Sequence, residues 1–291
     1  MHVLIIGAGE IGSALTHVLK KKRNVHIELE QWDKNPDRVR RQRPLKAAVP
    51  AAGLVFLCVP SWAVRDALKK IKRFLCKDTV VVSFAKGVSK SGRAMDELLK
   101  RELPKQQPFA LVSGPMLAEE LMKDRRGAGM CAASPRSAFT RLKNVFRGTA
   151  LSLRYTPKLH ALALAGVLKN VYALALGIAD GLNQGANGKG DLAAQAVEEM
   201  GGILALLAKG RGLAWSAAGL GDLLATGYSK YSRNRLAGEN LAKGKGIDRG
   251  SEGVASLAPL FRLLGARAAR FPLLTQLKKI VLLKKSPKDI F

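Results

Sequence analysis

The stretch "HVLIIGAGEIGSALTHVL" constrains the fold more than any other part of the chain. A β-rich apolar run is broken by Gly7, Gly9 and Gly12 and gives way to Ile11, Leu15, Val18 and Leu19 at helical spacing. Three glycines at this spacing carry little information alone, but between a strand and a helix they form the fingerprint of a dinucleotide-binding turn. Gly7 permits the turn, Gly9 lets backbone approach a pyrophosphate, and Gly12 lets the helix pack closely on the strand, with the helix N-terminus facing the anion. A second strand is expected in "VHIELEQW" and ends at Asp33, 21 residues beyond Gly12, where an acid would accept hydrogen bonds from an adenosine ribose. A carboxylate there favours NAD, while the adjacent Lys34 could neutralise a 2′-phosphate and admit NADP. Asp33 equally reads as the cap of the turn "DKNPD".

Strand and helix patterns then alternate: "GLVFLCVPS", "AVRDALKKIKRFL", "TVVVSFAKG", "RAMDELLKREL", "FALVSGP". Alternation of this kind predicts parallel βαβ units with helices on both faces and ligands at the strand C-terminal ends. Three segments fall there, at residues 59–63, 85–89 and 113–120, and the second aims Lys86 at the crevice. From Pro157 the strand pattern gives way to helical segments expected at 158–181, 191–209, 233–243, 255–265 and 272–284. The fold class is therefore α/β: a Rossmann-like, doubly wound dinucleotide-binding domain over 1–156, then an all-helical substrate-binding and catalytic domain over 157–291. A chain of 291 residues is of a size for two such cores.

The first of those helices raises a chemical question. Between Leu162 and Ile178 every residue is apolar or small except Lys169, Asn170 and Tyr172. A central lysine makes membrane insertion unfavourable by about 2.5–3.5 kcal/mol, so the segment reads as a buried helix rather than a membrane span. A buried ammonium must be paired or functional, and burial lowers its pKa toward the range of a general acid. The plainer alternative is a lysine lying along one wet helix face. Downstream, "AAGLGDLLATGYSKYSRNRLAGENLAKG" supplies Asp222 as a candidate partner for Lys169, then Thr226, then "SRN". Ser232 suits the N-cap of a helix whose first turn holds Arg233 and Asn234, and these groups with free helix N–H donors make an anion site fit for a phosphate.

With 49 Lys plus Arg against 22 Asp plus Glu, the chain carries a formal charge of +27. That field attracts anions without selecting among them. The excess lies in short runs, Lys20–Arg23, Arg38–Arg43, Lys69–Arg73 and Lys284–Lys288, that read as solvated faces, and no zinc-finger, RNP or basic-heptad pattern accompanies them, so no specific nucleic-acid partner is expected. Three scattered cysteines without a CxxC spacing predict a reduced, cytoplasmic protein without a metal.

Taken in order, these segments resemble the bacterial NAD(P)-dependent glycerol-3-phosphate dehydrogenases over nearly the whole chain. The glycine loop, Val59–Ser61, Lys86–Gly87 and Ser113–Pro115 match the family's early motifs. "GVLKNVYALALGIADGLNQGAN" and "AGLGDLLATGYSKYSRNR" match its two later blocks, and "EGV" at 252–254 its last. The resemblance implies that Lys169 exchanges the proton at the substrate oxygen, with Lys86 close to both substrate and cofactor. By the same likeness Asp222 and Thr226 orient the lysine, Ser113, Gly114, Ser232, Arg233 and Asn234 hold the phosphorylated substrate, and Glu252 approaches the cofactor. The implied reaction is reversible hydride transfer between NAD(P)H and dihydroxyacetone phosphate, giving sn-glycerol 3-phosphate for glycerophospholipid synthesis, in a homodimer. A β-hydroxyacid or ketopantoate dehydrogenase and a non-catalytic dinucleotide sensor are the alternatives; the "SRN" anion site argues against the first and the intact Lys169, Asp222 and Arg233 set against the second. The chain departs from the family at Glu10 and Ile11 in the glycine loop, at Met116 and Gln195, and in having only twenty residues between Asp33 and Leu54.

Overall fold

The computed structural model describes residues 1–22, 27–89, 91–248 and 250–291. Val25 and His26 of the expected second strand, and Arg23 of the first basic run, lie outside the described residues. The apolar runs become parallel strands β1 (His2–Ile6), β2 (Glu28–Trp32), β3 (Leu54–Leu57), β4 (Val80–Ser83) and β5 (Phe109–Ser113). With β6 (Gly127–Ser134) and β7 (Leu151–Tyr155) they form a seven-stranded sheet in the order β2-β1-β3-β4-β5-β6-β7. Helices α1 (Glu10–Lys20), α2 (Leu45–Ala51), α3 (Val64–Ile71), α4 (Met95–Glu102), α5 (Ala118–Leu121) and α6 (Arg136–Phe146) join the strands.

Along β1, Val3 and Ile5 enter the apolar layer shared with α1 and α6, while Leu4 and Ile6 enter the opposite layer with α2, α3 and α4. Both faces are covered, which is why the strand reads as an unbroken apolar run rather than an alternation. The chain leaves β1 toward β2 on one side and later returns to β3 on the other, so the crevice of the topological switch opens at the C-terminal end of β1. Between Asp33 and Leu54 the structure holds a 3₁₀ turn and α2 but no strand, and β2 is the sheet edge.

The sheet departs from the expected all-parallel pattern at β6, which pairs antiparallel with β5. The connection over 114–126 contains only the single turn α5, and a parallel return needs a full crossover. Strand β7 and the amphipathic α6 were not read from the sequence although their local patterns are ordinary, and the strand "GAGMCAAS" was not legible because small residues give no β-propensity signal. They are required by packing: a Cβ on Gly129 would lie 2.7 Å from Leu153 Cδ2.

From Leu159 onward the described residues hold only helices: α7 (Leu159–Gly181), α8 (Gly185–Ala208), α9 (Asp222–Tyr228), α10 (Arg233–Ala242), α11 (Glu252–Leu264) and α12 (Pro272–Leu283), with shorter turns between them. Every residue of α7 from Ala161 to Ala179 is buried, because α8 to α12 surround it and its flank packs on β5, β6 and α4. It is long and apolar enough to cross a membrane, and it is instead the core of this helical domain. Helix α10 crosses it at backbone contact: a Cβ on Gly177 would lie 2.8 Å from the Arg235 carbonyl carbon and closer still to its oxygen. Helix α8 begins at Gly185, ahead of the expected 191, since Lys189 donates to both oxygens of Asp180 (2.7 and 2.8 Å) and anchors a glycine-rich turn that propensity alone would leave as loop. Helix α9, preceded by a π-helical turn over Ala217–Gly221, was expected as loop.

Candidate active site

One cavity of about 1380 Å³ runs from the glycine loop, past the C-terminal ends of β3 and β4, to the N-terminus of α10. Single-ligand pockets usually span about 300–1,000 Å³, so this one has room for a dinucleotide and a small second ligand. At its mouth Gly7 adopts φ +103°, where a Cβ would sit 2.7 Å from the Cys58 carbonyl oxygen. Gly12 lies beneath the loop, where a Cβ would meet the Gly7 carbonyl, and does not line the cavity. Above Gly9 there is open space, and Gly9 N-caps α1 with no side-chain hydrogen bond, leaving the first-turn N–H groups available to an anion. Glu10 is exposed at the same wall. These features fit a dinucleotide pyrophosphate.

Asp33 lines the cavity and is buried. Its Oδ2 accepts from Ala8 N at 2.7 Å and its Oδ1 from Asn35 N at 2.9 Å. It therefore caps the turn, as one of the two readings has it, ties the glycine loop to the end of β2, and lines the cavity. Lys34 is exposed beside it.

The cavity floor is a charged cluster buried between sheet and helices. Asp222, 2% exposed, accepts from Lys86 Nζ on Oδ2 at 2.7 Å and faces Lys169 Nζ across Oδ1 at 3.2 Å. Lys169 also donates to Thr226 Oγ1 at 2.9 Å, and Lys86 to the Gly114 carbonyl at 2.6 Å. Lys86 arrives from the end of β4, Lys169 from α7, and Asp222 and Thr226 from one face of α9, four residues apart. Burial lowers the Lys169 pKa to about 8; Lys86 pushes the same way and Asp222 opposes. Burial would raise the Asp222 carboxyl, but the two ammonium groups outweigh it and hold it below the usual carboxylate range.

Glu252, the first residue of α11, reaches across to the other domain, where its carboxylate accepts from Ser61 N (2.9 Å) and Ser61 Oγ (2.6 Å). Burial raises its pKa, with the two Ser61 donors working against the rise. Gly87 makes this clasp sterically feasible, because a Cβ there would lie 2.6 Å from Ser61 Oγ and closer still to Glu252 Oε2.

At the far end Ser232 caps α10, its Oγ accepting from Arg235 N at 3.1 Å, and the exposed Arg233 makes only a long contact to Asp248, 3.4 Å. Asn234 is buried behind them. Its Oδ1 accepts from Ser251 Oγ (2.7 Å) and Gly253 N (2.9 Å), and its Nδ2 donates to Asn170 Oδ1 (2.8 Å). Asn170 in turn donates to the Lys86 carbonyl at 2.5 Å, so a chain of amides joins the lysine loop to α7, α10 and α11. Ser113 is buried with its Oγ unpartnered, and with Gly114 it lies behind Lys86, off the cavity wall. The cavity thus brings together Lys86, Lys169, Asp222, Thr226, Ser232, Arg233, Asn234 and Glu252, whereas Gly12, Ser113 and Gly114 lie behind its wall. Ser61 and Asn170 had no role assigned from sequence. Their signals were a serine just past a strand end and an amide beside the lysine on an apolar helix. Among the described residues no three His, Cys, Asp or Glu side chains gather in metal-binding reach.

An open glycine loop at a Rossmann switch point, facing a helical domain that presents a buried ammonium and a capped cationic helix start, defines a two-domain nicotinamide-dinucleotide dehydrogenase. Residues 159–291 match the C-terminal model of the NAD-dependent glycerol-3-phosphate dehydrogenases and residues 33–139 the N-terminal model. The glycerol-3-phosphate dehydrogenase (NAD(P)+) of Leifsonia xyli subsp. xyli is 31% identical over 98% of this chain and 85% of its own length. That of Clostridium tetani is 30% identical over 87% and 78%. The crystal structure of glycerol-3-phosphate dehydrogenase from Coxiella burnetii superposes with a TM-score of 0.87 at 26% identity, covering 99% of this chain and 97% of that one. The chain belongs to the NAD-dependent glycerol-3-phosphate dehydrogenase family.

Proposed function

We propose that this protein transfers a hydride between a nicotinamide dinucleotide and C2 of dihydroxyacetone phosphate, producing sn-glycerol 3-phosphate. The observation that carries this reading is the buried Lys169–Asp222–Lys86 cluster, set between the open glycine loop and the anion-binding start of α10. The bound dinucleotide supplies the hydride. As it arrives at C2 the substrate carbonyl oxygen gains negative charge, and Lys169, an ammonium with a lowered pKa, stabilises and protonates that oxygen. Asp222 keeps the lysine charged and fixed, Thr226 sets the direction of its Nζ, and Lys86 adds a second positive charge. Arg233 and the N–H groups at the start of α10 would hold the substrate phosphate, with Ser232 as cap and Asn234 as the tie that fixes this helix start. Ser113 and Gly114 support Lys86 from behind, and the Glu252–Ser61 clasp joins the two halves at the cofactor side.

In this reading the division falls at 156/157. NAD is the favoured cofactor because Asp33 presents a carboxylate to the adenosine ribose, and Lys34 allows NADP. The family likeness supports a cytoplasmic homodimer supplying glycerophospholipid synthesis.

The test is the loss of nicotinamide absorbance with dihydroxyacetone phosphate and NADH or NADPH in parallel. Lys169→Ala should lower kcat by about 10²–10⁴. Arg233→Ala should raise KM for dihydroxyacetone phosphate while dinucleotide binding holds. Turnover that survives Lys169→Ala undiminished would refute the assignment of the proton donor, and unchanged kinetics in Arg233→Ala would refute the phosphate site.

A further inference from the structure

Basic residues do not stop at the edge of the main cavity. Beyond Asp33 its wall continues through Lys34 and Arg38 and, from α3, Lys69 and Lys70. Lys69 and Lys70 also line a second cavity of about 520 Å³, together with Lys46 and Leu45 of α2 and with Arg73 and Phe74 just past α3. No carboxylate lines this second cavity. All six of these cations are exposed, and none makes an ion pair or hydrogen bond with another described residue. Some cations elsewhere on the surface are paired, as in Lys21–Asp124, Arg43–Glu30, Arg65–Glu102 and Lys243–Glu239.

Two of the unpaired cations rest against rings. Lys70 Nζ stands 5.6 Å from the centre of the Trp32 ring, and the Arg73 guanidinium 4.7 Å from that of Phe74. Cations held close together within about one Debye length repel one another, and an anion bridging several of them relieves that repulsion. Four converge on one open surface hollow, more than a single phosphate can answer.

We infer that the cavity between α2 and α3 is a binding site for an oligophosphate, either free or as the tail of a nucleotide. Because Lys69 and Lys70 face both cavities, occupation opposes dinucleotide binding next door by cancelling their charge and placing one anion against another. The existence of the site is independent of the proposed reaction; its effect on the dinucleotide rests on that reading.

The experiment is isothermal titration calorimetry of the whole protein with inorganic tripolyphosphate and, separately, with ATP, both without dinucleotide. The double variant Lys46→Gln/Arg73→Gln removes two cations without adding a carboxylate, at exposed residues that line only the second cavity. One molecule of each ligand should bind the unmodified protein, and the double variant should weaken both by about tenfold or more, with NADH binding, followed by its fluorescence, unchanged. Equal affinities would show that the phosphate chain suffices, and tighter ATP that the nucleoside adds contacts; either supports the site. Tripolyphosphate binding unaltered in the double variant overturns it, placing the ligand at the glycine loop or α10. ATP binding without tripolyphosphate binding also overturns it. Loss of tripolyphosphate binding in the variant supports the site even in a protein with no turnover, so the two failures are distinguishable. With turnover present, tripolyphosphate should raise KM for NADH at unchanged kcat, and the double variant should abolish the effect.

Discussion

Replacing Asp222 by asparagine keeps the shape of the cluster and removes the carboxylate that faces both lysines. In the native site that carboxylate faces Lys169 at 3.2 Å and Lys86 at 2.7 Å. At an effective dielectric of about 20, a pair 3.2 Å apart interacts by about 5 kcal/mol. Lys86 can swing toward the cavity once released and the amide still accepts a hydrogen bond, so about half of that should appear as a shift, or about two pH units at 1.36 kcal/mol each. Lys169 should move from about 8 to about 6. The sign follows from the chemistry. Ketone reduction needs the ammonium, so kcat/KM for dihydroxyacetone phosphate falls as pH rises through the lysine pKa, near 8 in the native protein and near 6 in the variant. At pH 7.5 only about 3% of Lys169 would remain charged in Asp222→Asn, against about 76% in the native protein, a loss of about 25-fold from protonation alone. Alcohol oxidation needs the neutral amine, so its rising limb should move down by the same amount. The assay is a pair of pH–rate profiles over 5.5–9.5, with far-ultraviolet circular dichroism to establish folding and Lys169→Arg as the variant that should have no limb in this range. A descending limb that stays near 8 in Asp222→Asn would refute the reasoning, since the titrating group would then not be the lysine that Asp222 holds.

Three further outcomes follow from the packing. Gly87→Ala places a Cβ 2.6 Å from Ser61 Oγ and 2.8 Å from Ser61 Cβ, which should open the Glu252 clasp and raise KM for the dinucleotide. Steady-state kinetics that match the unmodified protein would show the clasp to be dispensable. Gly177→Ala drives a Cβ into the Arg235 carbonyl at the α7–α10 crossing, where neither backbone can yield. Overpacking there should cost about 3 kcal/mol, read as a fall in thermal midpoint of about 5–10 °C. Glu199 accepts from Tyr172 Oη at 2.7 Å and from the Leu273 and Leu274 N–H groups at 2.7 and 2.9 Å, capping α12 from α8. Glu199→Ala leaves three donors without an acceptor and should destabilise by about 3 kcal/mol in urea unfolding, whereas Tyr172→Phe, which leaves the cap intact, should destabilise less.

Much of the architecture was legible because local chemistry forced it. A strand, three glycines and a helix have few other arrangements, and the alternation up to "FALVSGP" gave β1 to β5 with α1, α3 and α4, though not α2. Three of the misses share one cause. β6 consists almost wholly of small residues, α8 begins in glycines, and α9 follows a π-helical turn, so in each case tertiary packing overrides weak local preference. At the site, Lys169 stood out because an ammonium in an apolar helix demands a reason. Ser61 did not, because its partner lies 191 residues away and no periodicity connects them.

The sequence by itself determined the kinds of groups available: a loop that can approach a pyrophosphate, a lysine that cannot rest unpaired, and a helix start suited to a phosphate. Only the tertiary structure decided that one carboxylate serves two lysines from different domains, that Asn234 is committed to Asn170, Ser251 and Gly253, and that Ser113 stands behind Lys86 rather than in the cavity. The reason is physical. Residue type and local spacing fix charge, donor capacity and backbone freedom, but a pKa and a hydrogen-bond partner depend on burial and on distances of about 3 Å, which arise when segments far apart in the chain are packed against one another.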